Sequence, residues 1–111
     1  MSKQLYISAN DKNTADAIVQ GLNARKIKAV RRNHSDMLRF GMKIGPAEGT
    51  SKEWIEILEA SPQIAEAIWD TVEVFINRIS FYLNQKPVQV SNKQSLKSIV
   101  EPKTFKDMFG R

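Results

Sequence analysis

RKIKAVRRNHSDMLRFGMK, residues 25–43, combines dense positive charge with the apolar alternation of a strand pair. It carries seven cations, Arg25, Lys26, Lys28, Arg31, Arg32, Arg39 and Lys43, against one acid, Asp36. Leu38, Phe40, Met42 and Ile44 alternate with Arg39, Gly41 and Lys43, the period of a half-buried strand. IKAVRR, residues 27–32, reads as a second strand, although Val30 lies on the face opposite Ile27 and Ala29. The polar run Asn33-His34-Ser35-Asp36 separates the two. A short polar connection between two such runs predicts a β-hairpin that presents its positive charge outward.

Upstream, KQLYIS at residues 3–8 places Leu5 and Ile7 on one face of a strand and Gln4, Tyr6 and Ser8 on the other. Asn10-Asp11-Lys12-Asn13 offers helix N-caps. Ala15, Ile18, Val19 and Leu22 then recur at helical spacing and predict a helix over about 12–25. Downstream, Gly45-Pro46-Ala47-Glu48-Gly49 is a loop by composition. Thr50 precedes Glu53 at the spacing of a capping box, and Trp54, Ile55, Ile57 and Leu58 follow, which predicts a helix ending near Ser61-Pro62. Ser61 with Pro62 opens a third helix, where the missing proline N–H has no bond to lose. Its apolar stripe runs through Ile64, Ile68, Val72, Ile76, Ile79 and Leu83 as far as Lys86-Pro87. Residues 88–91 form a short strand with Val88 and Val90 inward. Residues 93–111 are a basic tail with Leu96, Ile99 and Val100 before Pro102 and Phe105, Met108 and Phe109 after it. That tail either docks back on the core or extends to a partner.

The resulting order, β-α-β-β-α-α-β, is an α+β domain of the ferredoxin-like split type with its second helix broken at Ser61-Pro62. The expected boundaries are a single domain over 1–92 and a basic amphipathic tail over 93–111. A chain of 111 residues holds one core and is too short for two ordinary ones. The absence of cysteine excludes disulfides, thiolate metal sites and a cysteine nucleophile. No apolar run reaches the length of a signal peptide or a membrane span, so the expected location is cytoplasmic, with no membrane partner.

Charge is unevenly spread. Residues 1–49 hold nine Lys/Arg and four Asp/Glu, giving +5; residues 50–86 hold three and six, giving −3; residues 87–111 hold five and two, giving +3. A positive field confined to part of a protein attracts anionic partners. In the expected fold both helical segments cover one sheet face, and the other carries Gln4, Tyr6, Ser8, Arg39, Gly41, Lys43, Gln89 and Ser91. An open face with an aromatic ring and spaced cations suits stacking on bases and contacts to phosphates.

Arg39-Phe40-Gly41-Met42-Lys43-Ile44-Gly45 occupies the strand position of the RNA-recognition-motif signature. Gly41 and Lys43 stand where that signature has outward aromatics, so the family is not assigned. GPAEGTSK, residues 45–52, is superficially like a Walker A loop, but it is one residue short and its hydroxyls precede Lys52. His34-Ser35-Asp36 holds the residue types of a hydrolase triad, yet neighbours in one turn cannot place the base between nucleophile and acid. One histidine makes no zinc cluster. Residues 5–30 are similar to the opening strand–helix–strand of TIR-type signalling domains, a likeness that covers under a quarter of the chain and carries over no functional residue.

The expectation is a non-enzymatic binding domain without cofactor or metal. Its partner is anionic, with nucleic acid the first candidate, held by Lys28, Arg31, Arg32, Arg39 and Lys43 and stacked by Tyr6. The alternative is a protein–protein adaptor or inhibitor, self-association included, anchored by Phe105, Met108 and Phe109.

Overall fold

The alternation of Leu5 and Ile7 with Tyr6 and Ser8 builds β1 (Lys3–Ala9), the central strand of a five-stranded antiparallel sheet. The computed structural model describes residues 3–39, 53–83 and 86–100, apart from the side chains of residues 3, 4, 34 and 59. The elements that follow are α1 (Lys12–Ala24), β2 (Ala29–Arg32), α2 (His34–Arg39), β3 (Glu53–Ala60) and α3 (Pro62–Val72). A 3-10 helix (Glu73–Arg78), β4 (Ile79–Leu83), β5 (Lys86–Val88) and α4 (Lys93–Val100) complete the described chain. The strand order is β2-β3-β1-β4-β5. The fold is α+β, with four α-helices and this sheet among the described residues.

A cross-sheet row marks one face and a smaller cluster the other. On one face Ala29, Ile57, Leu5 and Leu83 lie in register from β2 to β4. They are covered by Ile18 and Leu22 of α1, Ile68 and Val72 of α3, and Leu96 and Val100 of α4. Each fully buried Leu, Ile or Val side chain contributes about 1.5–3 kcal/mol, so this face supplies most of the apolar stabilisation. The opposite face has a smaller cluster in which Met37 of α2 sits with Tyr6 and Trp54, and Tyr82 packs against them.

Local chemistry explains the ends of α1. Asp11 is its N-cap, accepting from the Thr14 backbone N–H at 2.7 Å and from its hydroxyl at 3.1 Å. These bonds hold the Asp11 carboxyl below its ordinary pKa, the Thr14 backbone bond contributing most. At the other end the Ile27 N–H donates to the Leu22 carbonyl and the Lys26 N–H to that of Asn23, both at 3.0 Å. This is a Schellman closure, with Lys26 at φ 64 and the buried pair Leu22 and Ile27 beneath it.

The hairpin expected over residues 25–43 does not form. Asn33 caps a helix instead: the Asp36 N–H donates to Asn33 Oδ1 at 2.8 Å, and the Asn33 N–H returns a bond to Asp36 Oδ2 at 3.3 Å. These reciprocal bonds are a capping box with Asp in place of Glu, so Asn33-His34-Ser35-Asp36 starts α2 rather than turning a hairpin. Met37 is then buried and Leu38 exposed, the reverse of the expected strand phase for Leu38. Residues 40–44 of that expected strand lie outside the described residues.

The helix expected after Thr50 is β3. Ile55 and Ile57 face the main core while Trp54 and Glu56 face the other way, and β-branched and aromatic side chains suit a strand with both faces covered. The long third helix ends early. Its stripe runs through α3, and from Ile79 the pattern becomes the alternation Ile79, Phe81, Leu83 of β4. The terminal strand is Lys86–Val88 rather than 88–91. Of the basic tail, α4 docks on the core, burying Leu96 and Val100.

Candidate anion-binding surface

Strand pairing decides which cations remain available. β2 is antiparallel to β3, with Arg31 opposite Ile55 and Arg32 opposite Trp54. Successive residues of a strand point to opposite faces, so the two arginines meet different acids. Arg31 lies on the helix-covered face and is held by both Asp16 of α1 and Glu53 of β3. Arg32 lies on the other face, where its Nε donates to Glu56 Oε1 at 2.8 Å. The Glu56 side chain is only 12% exposed, so this pair is largely removed from water. Both arginines therefore act as cross-strand ties in this structure.

Tyr6 is also withdrawn. It lies between Glu56 and Tyr82 in one cross-sheet row and is 1% exposed, with Met37 in the cluster around it. Burial pushes its phenol above the ordinary pKa; the Glu56 charge adds to this and that of Arg32 opposes it. The face expected to be open is thus closed over Tyr6, and a base does not reach its ring in this conformation. The same face carries Trp54 and Tyr82 with ring centroids 5.0 Å apart in an edge-on arrangement. Arg39, at the end of α2, is 3.6 Å from Asp36 and remains 74% exposed along its side chain. Lys43 and the apolar trio Phe105, Met108 and Phe109 lie outside the described residues.

Lys28 lies just ahead of β2. It is exposed and makes no ion pair among the described residues; its carbonyl accepts the Leu58 N–H at 3.0 Å and so fixes it at the end of the sheet. Lys26 stands beside it, exposed in the left-handed position that closes α1. The row Ala29, Ile57, Leu5, Leu83, Lys86 shows that Lys86 of β5 lies at this same end. Lys86 is four inter-strand spacings from β2, roughly 19 Å. Arg25 belongs to the same turn but is tied, its Nη1 donating to Thr71 Oγ1 at 2.7 Å. Lys26 and Lys86 were not among the residues expected to bind. The signal for Lys26 was present, since the residue just past a helix end projects into solvent. Lys86 needed the strand order.

Elsewhere, Lys93 of α4 is 3.4 Å from both Glu66 and Asp70 of α3. Asp70, foremost among its partners, raises the pKa of its ammonium. Lys93 thereby counters two acids of α3. Among the described residues no group of three or more His, Asp or Glu is arranged to hold a metal ion. No described helix is long and apolar enough to cross a membrane. A groove of about 240 Å³ lies where β4 and β5 diverge, lined by Ile76, Ile79, Ser80, Tyr82, Gln89 and Val90 among others. Among the described residues that line it, the one ionisable side chain is the Tyr82 phenol. Compared with protein-family models, curated proteins and solved structures, the chain matches none of them.

Proposed function

We propose that the chain is a cytoplasmic, non-enzymatic binding domain that engages an anionic partner, with nucleic acid the first candidate. The contact surface in this reading is the end of the sheet formed by Lys26, Lys28 and Lys86, with Arg39 as a further exposed cation. The observation that carries it is a contrast in pairing. Lys26, Lys28 and Lys86 are exposed without ion pairs among the described residues, whereas Arg31 and Arg32 are held by acids. Spaced free cations need no aromatic platform to hold a phosphate backbone. The strand order β2-β3-β1-β4 further supports a ferredoxin-like path for the first four strands, with β5 added as a hairpin.

Fluorescence anisotropy with labelled single-stranded RNA, single-stranded DNA and duplex DNA tests the reading. Three phosphate contacts on a single strand predict micromolar or tighter binding that weakens roughly 20-fold between about 50 and 200 mM salt. Lys26→Glu with Lys28→Glu should abolish it. No binding at about 50 mM salt, or binding that salt leaves unchanged, would reject the reading.

A protein partner is the second reading. Val74 favours it, being an apolar side chain left 80% exposed beside the half-buried Phe75 and Ile76. Such a partner would bind in a salt-tolerant way, and Val74→Asp would weaken it.

A further inference from the structure

Three buried side-chain atoms among the described residues have no hydrogen-bonding partner, and two of them belong to residues that are direct partners across one strand pair. Ser8 of β1 and Trp54 of β3 are direct cross-strand partners, so their side chains emerge on the same face. Both residues are 1% exposed, and Ser8 Oγ and Trp54 Nε1 are the orphaned atoms. The third, Arg31 Nε, belongs to a guanidinium already held by two carboxylates on the other face.

We infer that Ser8 and Trp54 form an internal hydration site, in which one resident water bridges Trp54 Nε1 and Ser8 Oγ. The chemistry of the two groups is complementary to a single water. An indole N–H can only donate, and a hydroxyl can accept as well as donate. A water accepting from Trp54 and donating to Ser8 satisfies both with one molecule. Native interiors rarely leave such groups unpaired, and ordered water is the usual remedy where the surroundings are polar. The cross-strand row that holds the two groups is polar at both ends. In register, Arg32, Trp54, Ser8 and Ser80 form one row across four strands. Ser80 at the end of that row is exposed, which gives water a route of exchange one strand away from Ser8. The site would tie β1 to β3 beneath α2 and so give the smaller cluster a polar anchor.

Two measurements on the full chain test this. The Trp54 indole proton, assigned by its loss in Trp54→Phe, should show magnetisation exchange with a long-lived water, and Ser8→Ala should remove that signal. In urea, Ser8→Ala should lower the unfolding midpoint because the water loses a partner. The Ser8→Ala/Trp54→Phe double variant should lose less than the sum of the single changes, since either substitution alone already breaks the bridge. A wild-type indole proton with no water signal would overturn the inference. So would a midpoint that Ser8→Ala leaves unchanged or raises, the result for a dry hydroxyl whose removal relieves an orphan. Additive losses in the double variant would do the same.

Discussion

Lys26 and Lys28 in the turn entering β2, and Arg31 and Arg32 at its end, lie within seven residues of one another and meet opposite fates. The arginines reach strand positions where an antiparallel neighbour supplies acids on both faces, Glu53 on one and Glu56 on the other. The lysines sit at the end of the sheet, where no described acid pairs with them. A run of positive charge in a sequence is therefore not a positive surface. Cross-strand pairing sorts it into cations that hold the fold and cations left for a partner.

Arg31→Ala is the largest blow to that contrast. It leaves Asp16 and Glu53 without their shared cation at a site about a quarter exposed on the arginine side. Solvent screening moderates the loss to about 1–3 kcal/mol, below that of a fully buried pair. Lys28→Ala should change stability by no more than about 0.5 kcal/mol, as for an ordinary surface position. The polyanion affinity should respond the other way round: Arg31→Ala leaves the affinity of the folded fraction unchanged, and Lys28→Ala weakens it. Urea unfolding and anisotropy on the same two variants check both halves. Equal stability losses, or equal affinity losses, would erase the distinction.

How much of this was legible follows from where the determining contacts lie. β1 and α1 read correctly because their periods are local and unmixed: Leu5 and Ile7 alternate, and Ala15, Ile18 and Leu22 recur along one face. EWIEILEA does not separate so cleanly. Trp54, Ile55, Ile57 and Leu58 fit helical spacing, while Ile55 and Ile57 also fit a strand, and eight residues are short for a helix. The capping-box spacing of Thr50 and Glu53 tips the local signal toward a helix. Asn33-His34-Ser35-Asp36 is equally two-sided, because residues that suit a turn also cap helices. A helix over this stretch would leave Glu53 and Glu56 on a solvated face with no role toward the arginines. Their neutralisation of Arg31 and Arg32 depends on strand pairing across more than twenty positions, which no local window contains.

Arg25 stands between the two sets, and Gly21→Ala should move it from one to the other. A Cβ at Gly21 would stand 2.8 Å from Thr71 Cγ2, inside van der Waals contact. Thr71 cannot turn away freely, because its hydroxyl donates to the Ala67 carbonyl at 2.8 Å while accepting from Arg25. Overpacking of this kind costs about 1–3 kcal/mol, against roughly 1 kcal/mol gained from alanine's helix propensity. The expected net is a loss of about 1 kcal/mol, with Arg25 freed and polyanion affinity slightly raised. Adding Thr71→Ser removes the obstructing methyl group and keeps the hydroxyl, so the double variant should recover most of the loss. A Gly21→Ala protein more stable than the parent would mean that the two helices part without cost and that Arg25 was never firmly held.

Lys26→Gly gives the smallest effect and the sharpest one, because its two consequences have opposite signs. At φ 64 a side chain costs energy that glycine avoids, and the Schellman closure of α1 uses only the backbone of this residue. The substitution should stabilise the fold by about 0.5–1 kcal/mol, net of the greater freedom glycine has when unfolded. It also removes a free cation from the proposed surface. One phosphate contact fewer should lower the single-strand salt slope by about 0.7, alongside a weaker affinity at low salt. A higher urea midpoint together with a shallower salt slope would separate the charge at this position from any structural role. A higher midpoint with the slope unchanged would keep the account of the helix end and remove Lys26 from the binding surface.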